Sequence, residues 1–349
     1  MFGLRDLFAR RYRSVLYEVT QRCNHNCLYC YNVWKNGHPY PSGELSTAEA
    51  KNVLAKAVRE SRCRLVTLTG GEPLLRDDIP ELIAFLKSLG VGINLITNGS
   101  LLTESTTRAC IEAGVTLFEL PLLSARKEVH NALTRSDSFD AVIEAVANIR
   151  SLGGKVVTVF VATKKNIADL KDTIGLNVGL SVDAIMLNRF NPGGEGARHI
   201  AELLPSKEKL EDALAVADSA SQKFGLPIAC SIPIQPCLID TKKYKRLSFG
   251  FCSIGTRNAY FTIDSIGNLR PCNHSPLILG SLLRESFTAL TRKPEVRQFA
   301  AAIPPSCAPC RLSRTCQGGC KAAAEVCYGS IHREEPFLAA CVSRARLED

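Results

Sequence analysis

Fifteen cysteines stand in the 349-residue chain, and most of them fall in two groups near its two ends. Cys23, Cys27 and Cys30 form the first group. Cys252, Cys272, Cys307, Cys310, Cys316, Cys320, Cys327 and Cys341 form the second, and Cys63, Cys110, Cys230 and Cys237 lie between. No apolar run approaches the roughly 18 residues of a spanning helix, and no apolar signal core opens the chain. The expected compartment is therefore the cytoplasm, where clustered thiols hold metal or do redox chemistry instead of forming a disulfide scaffold.

A composition of 46% hydrophobic and 22% charged residues is that of an ordered globular protein. The net charge of +9 is widely spread, and the basic runs carry no interleaved aromatics, so no nucleic-acid partner is expected. Phe2, Leu4, Leu7 and Phe8 among arginines suggest a short helix packed on the body, with a membrane-surface helix as the competing reading.

From Ser14 to about Cys230, short β-rich runs alternate with longer helical stretches. The strands are expected at 14–20, 64–69, 92–97, 115–120, 155–162 and 184–190. Ser46 and Glu49 form a capping box, Asp78 and Thr103 precede two further helices, and a helix follows Pro205 and Ser206. Six β-then-α repeats predict an α/β fold, a parallel sheet curled into a partial (β/α)6 barrel. A unit of 1–235 followed by a cysteine-dense unit of 236–349 is the expected division.

In such barrels the chemistry collects at the C-terminal ends of the strands. Cys23, Cys27 and Cys30 follow the first strand, Gly70-Gly71-Glu72-Pro73 the second, and Thr97-Asn98-Gly99 the third. Three thiolates are one short of a closed structural site. The same shortage leaves one iron of a cubane open for a small molecule. A zinc site completed by His25 is the alternative.

The C-x3-C-x2-C loop with the downstream Gly-Gly-Glu-Pro resembles the radical S-adenosylmethionine (radical SAM) enzymes, over essentially the whole chain. The resemblance implies that Cys23, Cys27 and Cys30 hold a [4Fe-4S] cluster whose open iron binds SAM. It further implies that Gly70, Gly71 and Glu72 lie along the methionine moiety, with Glu72 available to its ammonium. Tyr29 would lie near the adenine, and Asn98 near the ribose or adenine. At the fourth strand the chain departs from the family pattern. Leu122 and Ser124 stand where many relatives carry a Ser and an Asp that touch the ribose, which leaves Ser124 as a hydroxyl contact without the carboxylate. Arg189, after the sixth strand, is a candidate partner for a carboxylate of SAM or substrate.

The C-terminal region carries a hairpin-like piece at 259–269 and then Cys307-x2-Cys310-x5-Cys316-x3-Cys320. Together with Gly267-x4-Cys272 and a final cysteine, this resembles the SPASM domain, which usually holds two auxiliary [4Fe-4S] clusters. The resemblance assigns Cys307, Cys310, Cys316 and Cys341 to an outer cluster and Cys252, Cys272 and Cys320 to an inner one. The fourth inner ligand is Cys327 by counting, with Cys237, Cys230 or an open iron as alternatives, and structural zinc as the competing metal. Cys63 and Cys110 read as core thiols.

The resemblance makes the chain a radical SAM oxidoreductase or maturase acting on a peptide or protein, with auxiliary clusters aiding oxidation. The alternatives are tailoring of a small molecule such as a haem precursor, and a non-catalytic iron–sulfur or zinc scaffold. An electron donor such as flavodoxin or ferredoxin is implied. With only twenty-two residues before Cys23, a separate leader-binding partner is the expectation for a peptide substrate.

Overall fold

The computed structural model describes residues 12–35 and 39–341. The N-terminal helix expected from Phe2 to Phe8 lies outside the described residues. Six apolar runs form strands: β1 (Ser14–Glu18), β2 (Leu65–Thr69), β3 (Gly92–Ile96), β4 (Leu117–Pro121), β5 (Val156–Ala162) and β6 (Ala184–Arg189). They pair in chain order and all in parallel. Helices α1 (Thr47–Ser61), α2 (Ile79–Ser88), α3 (Glu104–Ala113), α4 (Lys127–Thr134), α5 (Phe139–Ser151), α6 (Leu170–Gly179), α7 (Ile200–Leu203) and α8 (Lys207–Phe224) fill the crossovers. The result is the α/β partial barrel that the alternation predicts.

Local chemistry sets the helix starts. Both halves of the Ser46–Glu49 capping box form, and Thr103 and Ser206 each accept from the backbone N–H three residues on. Asp78 departs from this pattern. Its carboxylate is taken by the Arg76 guanidinium and the Thr47 hydroxyl, so it gives α2 no side-chain cap.

The sheet does not end with the six repeats. At the β6 edge it continues through β7 (Ile228–Cys230) and β8 (Leu247–Phe249), both parallel. At the β1 edge β9 (Thr262–Ile263) pairs parallel to β1. The antiparallel strands β10 (Asn268–Arg270) and β11 (Gly280–Ser281) follow it. Strands beyond residue 235 thus extend both edges of one eleven-stranded sheet. Helix α4 and strands β7, β8 and β11 go beyond the sequence expectation, because runs of two to eight residues are too short for a periodic pattern to register, even though α4 is amphipathic.

Fully buried Leu54, Leu68, Phe118 and Phe160 fill the space between sheet and helices. Each such side chain contributes about 1.5–3 kcal/mol on leaving water. Tyr12, Phe261 and Phe287 meet edge to face and fasten the β9 region to the start of the barrel. Cys63 and Cys110 lie in this core. Among the described residues no helix is long and apolar enough to cross a membrane.

Candidate active site

The cysteine loop after β1 is clamped from two sides by backbone. Gly71 N–H donates to the Thr20 carbonyl and Glu72 N–H to the Arg22 carbonyl, each at 2.8 Å. A Cβ on Gly71 would lie 1.9 Å from the Arg22 carbonyl oxygen, and one on Gly70, whose φ is +137°, 2.4 Å from that of Thr20. These glycines therefore let the β2 loop sit directly on the segment leading to Cys23. On the other side Gly196 N–H donates to the Cys30 carbonyl at 2.9 Å. A Cβ on Gly194 would meet the Asn32 carbonyl oxygen at 2.3 Å.

So held, Cys23, Cys27 and Cys30 line one cavity of about 210 Å³ at the C-terminal ends of the strands. Tyr29, Gly70, Gly71, Asn98 and Arg189 line it too, with Ile96, Val159 and Val161 as its apolar wall. Burial pushes the Cys27 thiol up to about 12, and the charges of Cys30 and Cys23 push the same way. Burial also raises Cys30 and Tyr29, whose hydroxyl interacts with Cys27. Thiols raised in this way, as Cys27 and Cys30 are, ionise most readily against a positive group, so the donor set fits a cationic iron cluster. Two polar atoms on residues of the wall, His25 Nδ1 and Asn191 Oδ1, are buried without a hydrogen-bond partner among the described residues. They leave capacity for a polar ligand.

Glu72 and Ser124 lie outside the cavity lining, and Asn98 and Arg189 line it with side chains bonded to other parts of the chain. Glu72 is fully buried and is not among the cavity residues. Its carboxylate accepts from Leu74 N–H (3.1 Å), Thr97 Oγ1 (2.7 Å) and Asn98 N–H (2.7 Å), which ties the β2 and β3 loops together. Asn98 does line the cavity, but its side chain donates to Asn24 and accepts from Ser100, steadying the cysteine loop. Ser124 is wholly buried outside the cavity, donating to Asp169 at 2.7 Å and accepting from Arg126 N–H. The turn before α4 consumes the hydroxyl. Arg189 is fully buried and ion-paired with Glu335. Sequence reasoning missed Glu119, which lines the cavity from β4 and accepts from Asn94 Nδ2. A lone Glu inside the apolar run VTLFEL was the available signal.

The C-terminal thiols line two further cavities. Cys252, Cys272 and Cys320 share one with Tyr260, His274 and Lys321. His274 also lines the first cavity, where its ring lies 4.3 Å from that of Tyr31, so the pair forms a wall between the two. Cys327 is not in the lining, although the charge of Cys320 is among the causes that raise its thiol, after burial and Glu335. The other cavity is lined by Cys307, Cys310 and Cys316 together with Cys237. Cys341, expected with the first three, lines a different cavity beside Lys164, Leu204 and Pro205. Among the described residues no three His, Cys, Asp or Glu side chains converge as around a single ion. A larger groove of about 610 Å³ beside Tyr12 and Arg292 contains none of these thiols.

Comparison with known proteins bears on the same residues. Residues 17–176 match the model of the radical SAM superfamily, and residues 252–317 that of the SPASM iron-sulfur cluster-binding domain. An AdoMet-dependent heme synthase of Methanosarcina barkeri is 25% identical over 95% of this chain and 97% of its own length. One of Oleidesulfovibrio alaskensis is 27% identical over 93% and 86%. The crystal structure of Streptococcus suis SuiB bound to precursor peptide SuiA superposes with a TM-score of 0.74 at 16% identity, covering 96% of this chain and 77% of that one. That likeness is one of fold.

Proposed function

We propose that this chain, which belongs to the radical SAM superfamily and carries a C-terminal SPASM domain, cleaves SAM reductively and abstracts hydrogen from an arm of a larger substrate. The radical SAM domain binds a [4Fe-4S] cluster and SAM, and the SPASM domain binds auxiliary clusters. The observation that carries the reading is the convergence of Cys23, Cys27 and Cys30 on one cavity at the strand ends. Held by Cys23, Cys27 and Cys30, the cluster would supply the single electron that reductive cleavage of SAM needs, and with it the radical chemistry for hydrogen abstraction.

The residues divide this work. Cys23, Cys27 and Cys30 would hold the cluster through their thiolates. The Gly70-Gly71 backbone carries the methionine moiety, Tyr29 flanks the adenine, and Asn98 with Asn24 fixes the loop. Glu119 supplies at the wall the carboxylate that Ser124 does not. Tyr31 and His274 separate the radical cavity from the inner thiols, which supports a short route for the electron that a substrate radical gives up on oxidation.

A peptide or protein side chain is the first reading, in keeping with a fold neighbour solved with a precursor peptide. The second is a propionate arm of a tetrapyrrole, which the near-full-length relatives named heme synthase favour. A flavodoxin or ferredoxin in a reducing cytoplasm is the electron source we infer, and a separate leader-binding partner suits the peptide reading. Mass spectrometry after anaerobic turnover tests the choice. Loss of hydrogen from a precursor peptide supports the first reading, loss of carbon dioxide from a tetrapyrrole propionate the second. Turnover of neither, in a panel of both, contradicts the proposal on substrate.

A further inference from the structure

We propose that Cys237, not Cys341, is the fourth thiolate of the outer auxiliary cluster; this rests on the reading that the SPASM domain binds such a cluster. Cys237 precedes the segment matched by the SPASM model, and nothing in its sequence spacing joins it to Cys307. The fold does so. Cys237, Cys307, Cys310 and Cys316 line a single cavity closed by Pro236 and Leu338. A cubane needs one thiolate for each of its four irons, and each thiol gives up its proton on binding. The four sulfurs on this cavity meet that count.

The turn that presents Cys237 is fixed on both sides. Gln235 before it is fully buried and donates through Nε2 to Glu335. Ile239 after it is fully buried, and the N–H groups of Leu238 and Ile239 donate to the Gln235 carbonyl at 2.9 and 3.1 Å. Cys237 itself is exposed on this anchored turn. Opposite, Leu312 N–H points at Cys310 Sγ from 3.4 Å, and the Cβ position of Gly318 lies 3.6 Å from Cys307 Sγ, so backbone hugs the other sulfurs. Cys341 lines a cavity that shares no residue with this one.

The test uses the full chain, anaerobically reconstituted, as wild type, Cys316→Ser, Cys237→Ser and Cys341→Ser, with iron and sulfide counted and Mössbauer spectra recorded. Wild type is expected to bind about 12 iron. Cys237→Ser is expected to lose up to about four of these, as Cys316→Ser does, or to show one cluster converted to a three-iron form. Cys341→Ser keeps the full number. Loss in Cys341→Ser with full retention in Cys237→Ser overturns the proposal. Equal iron in wild type and Cys316→Ser removes the outer cluster itself, and the ligand proposal with it. Alkylation of wild type guards against misfolded variants. Iodoacetamide should modify Cys237 about tenfold more slowly in the reconstituted than in the iron-stripped chain, and equal rates overturn the assignment.

Discussion

Arg189 at the end of β6 and Glu335 near the C-terminus form an ion pair with side chains 0% and 1% exposed. The guanidinium also donates to the carbonyls of Pro233 (2.8 Å) and Phe190 (3.3 Å), and it stacks 5.0 Å from the Phe337 ring centroid. The pair thus bolts the barrel to the cysteine-rich region beside both the radical and the inner thiol cavities. Removing one partner strands a buried charge, so Glu335→Ala should cost about 3–5 kcal/mol in urea unfolding. The double replacement Arg189→Met with Glu335→Leu should recover most of that loss. A loss under about 1 kcal/mol in the single variant would show that the pair does not hold the regions together.

Gly71→Ala should be among the most damaging small substitutions in the chain. The added carbon has the Arg22 carbonyl oxygen at 1.9 Å, so the cysteine loop must move. A shift of about 1 Å costs roughly a hundredfold in rate when reacting groups are positioned by the loop. Formation of 5′-deoxyadenosine is expected to fall by about that factor, while the iron of the auxiliary clusters remains. Wild-type activity in Gly71→Ala would contradict the clamp.

Glu72 should give the SAM-free protein a pH-dependent stability. Burial raises its carboxyl from 4.5 to about 7, against the pull of the Asn98, Thr97 and Leu74 donors. Between those values the folded chain holds a proton that the unfolded chain has released. The contribution is therefore full below pH 4.5 and is lost as pH rises through about 7, by up to about 3 kcal/mol. Glu72→Gln should flatten that part of the curve of unfolding free energy against pH. An unchanged slope would assign it to other groups.

His274→Ala separates the two cavities' roles. The ring belongs to the wall between radical and inner thiols. SAM cleavage should stay within about threefold of wild type, while oxidised product falls tenfold or more. Equal losses in both would place His274 in SAM binding instead.

Much of this was legible in the chain. The capping box at Ser46 and the six apolar runs are local patterns that the fold realises to within a few residues, and the Cys23–Cys30 spacing brings three thiols to one cavity. What escaped depends on distant contacts. Glu72 and Ser124 have the chemistry of ligand contacts, yet the orphan N–H groups of the adjoining loops claim their oxygens. Arg189 finds its carboxylate 146 residues away. Cys237 meets Cys307 only because the turn at 235–239 is anchored across the domain, and no spacing rule links them.

The central claim is reductive cleavage of SAM by a cluster on Cys23, Cys27 and Cys30. The direct test is to incubate the reduced, anaerobically reconstituted chain with SAM and quantify 5′-deoxyadenosine by liquid chromatography, for wild type and Cys27→Ala. Wild type should produce it. Cys27→Ala should produce none above background while keeping about eight of about 12 iron in the auxiliary clusters. Undiminished 5′-deoxyadenosine from Cys27→Ala, or a wild-type chain that takes up stoichiometric zinc and little iron, would contradict the account.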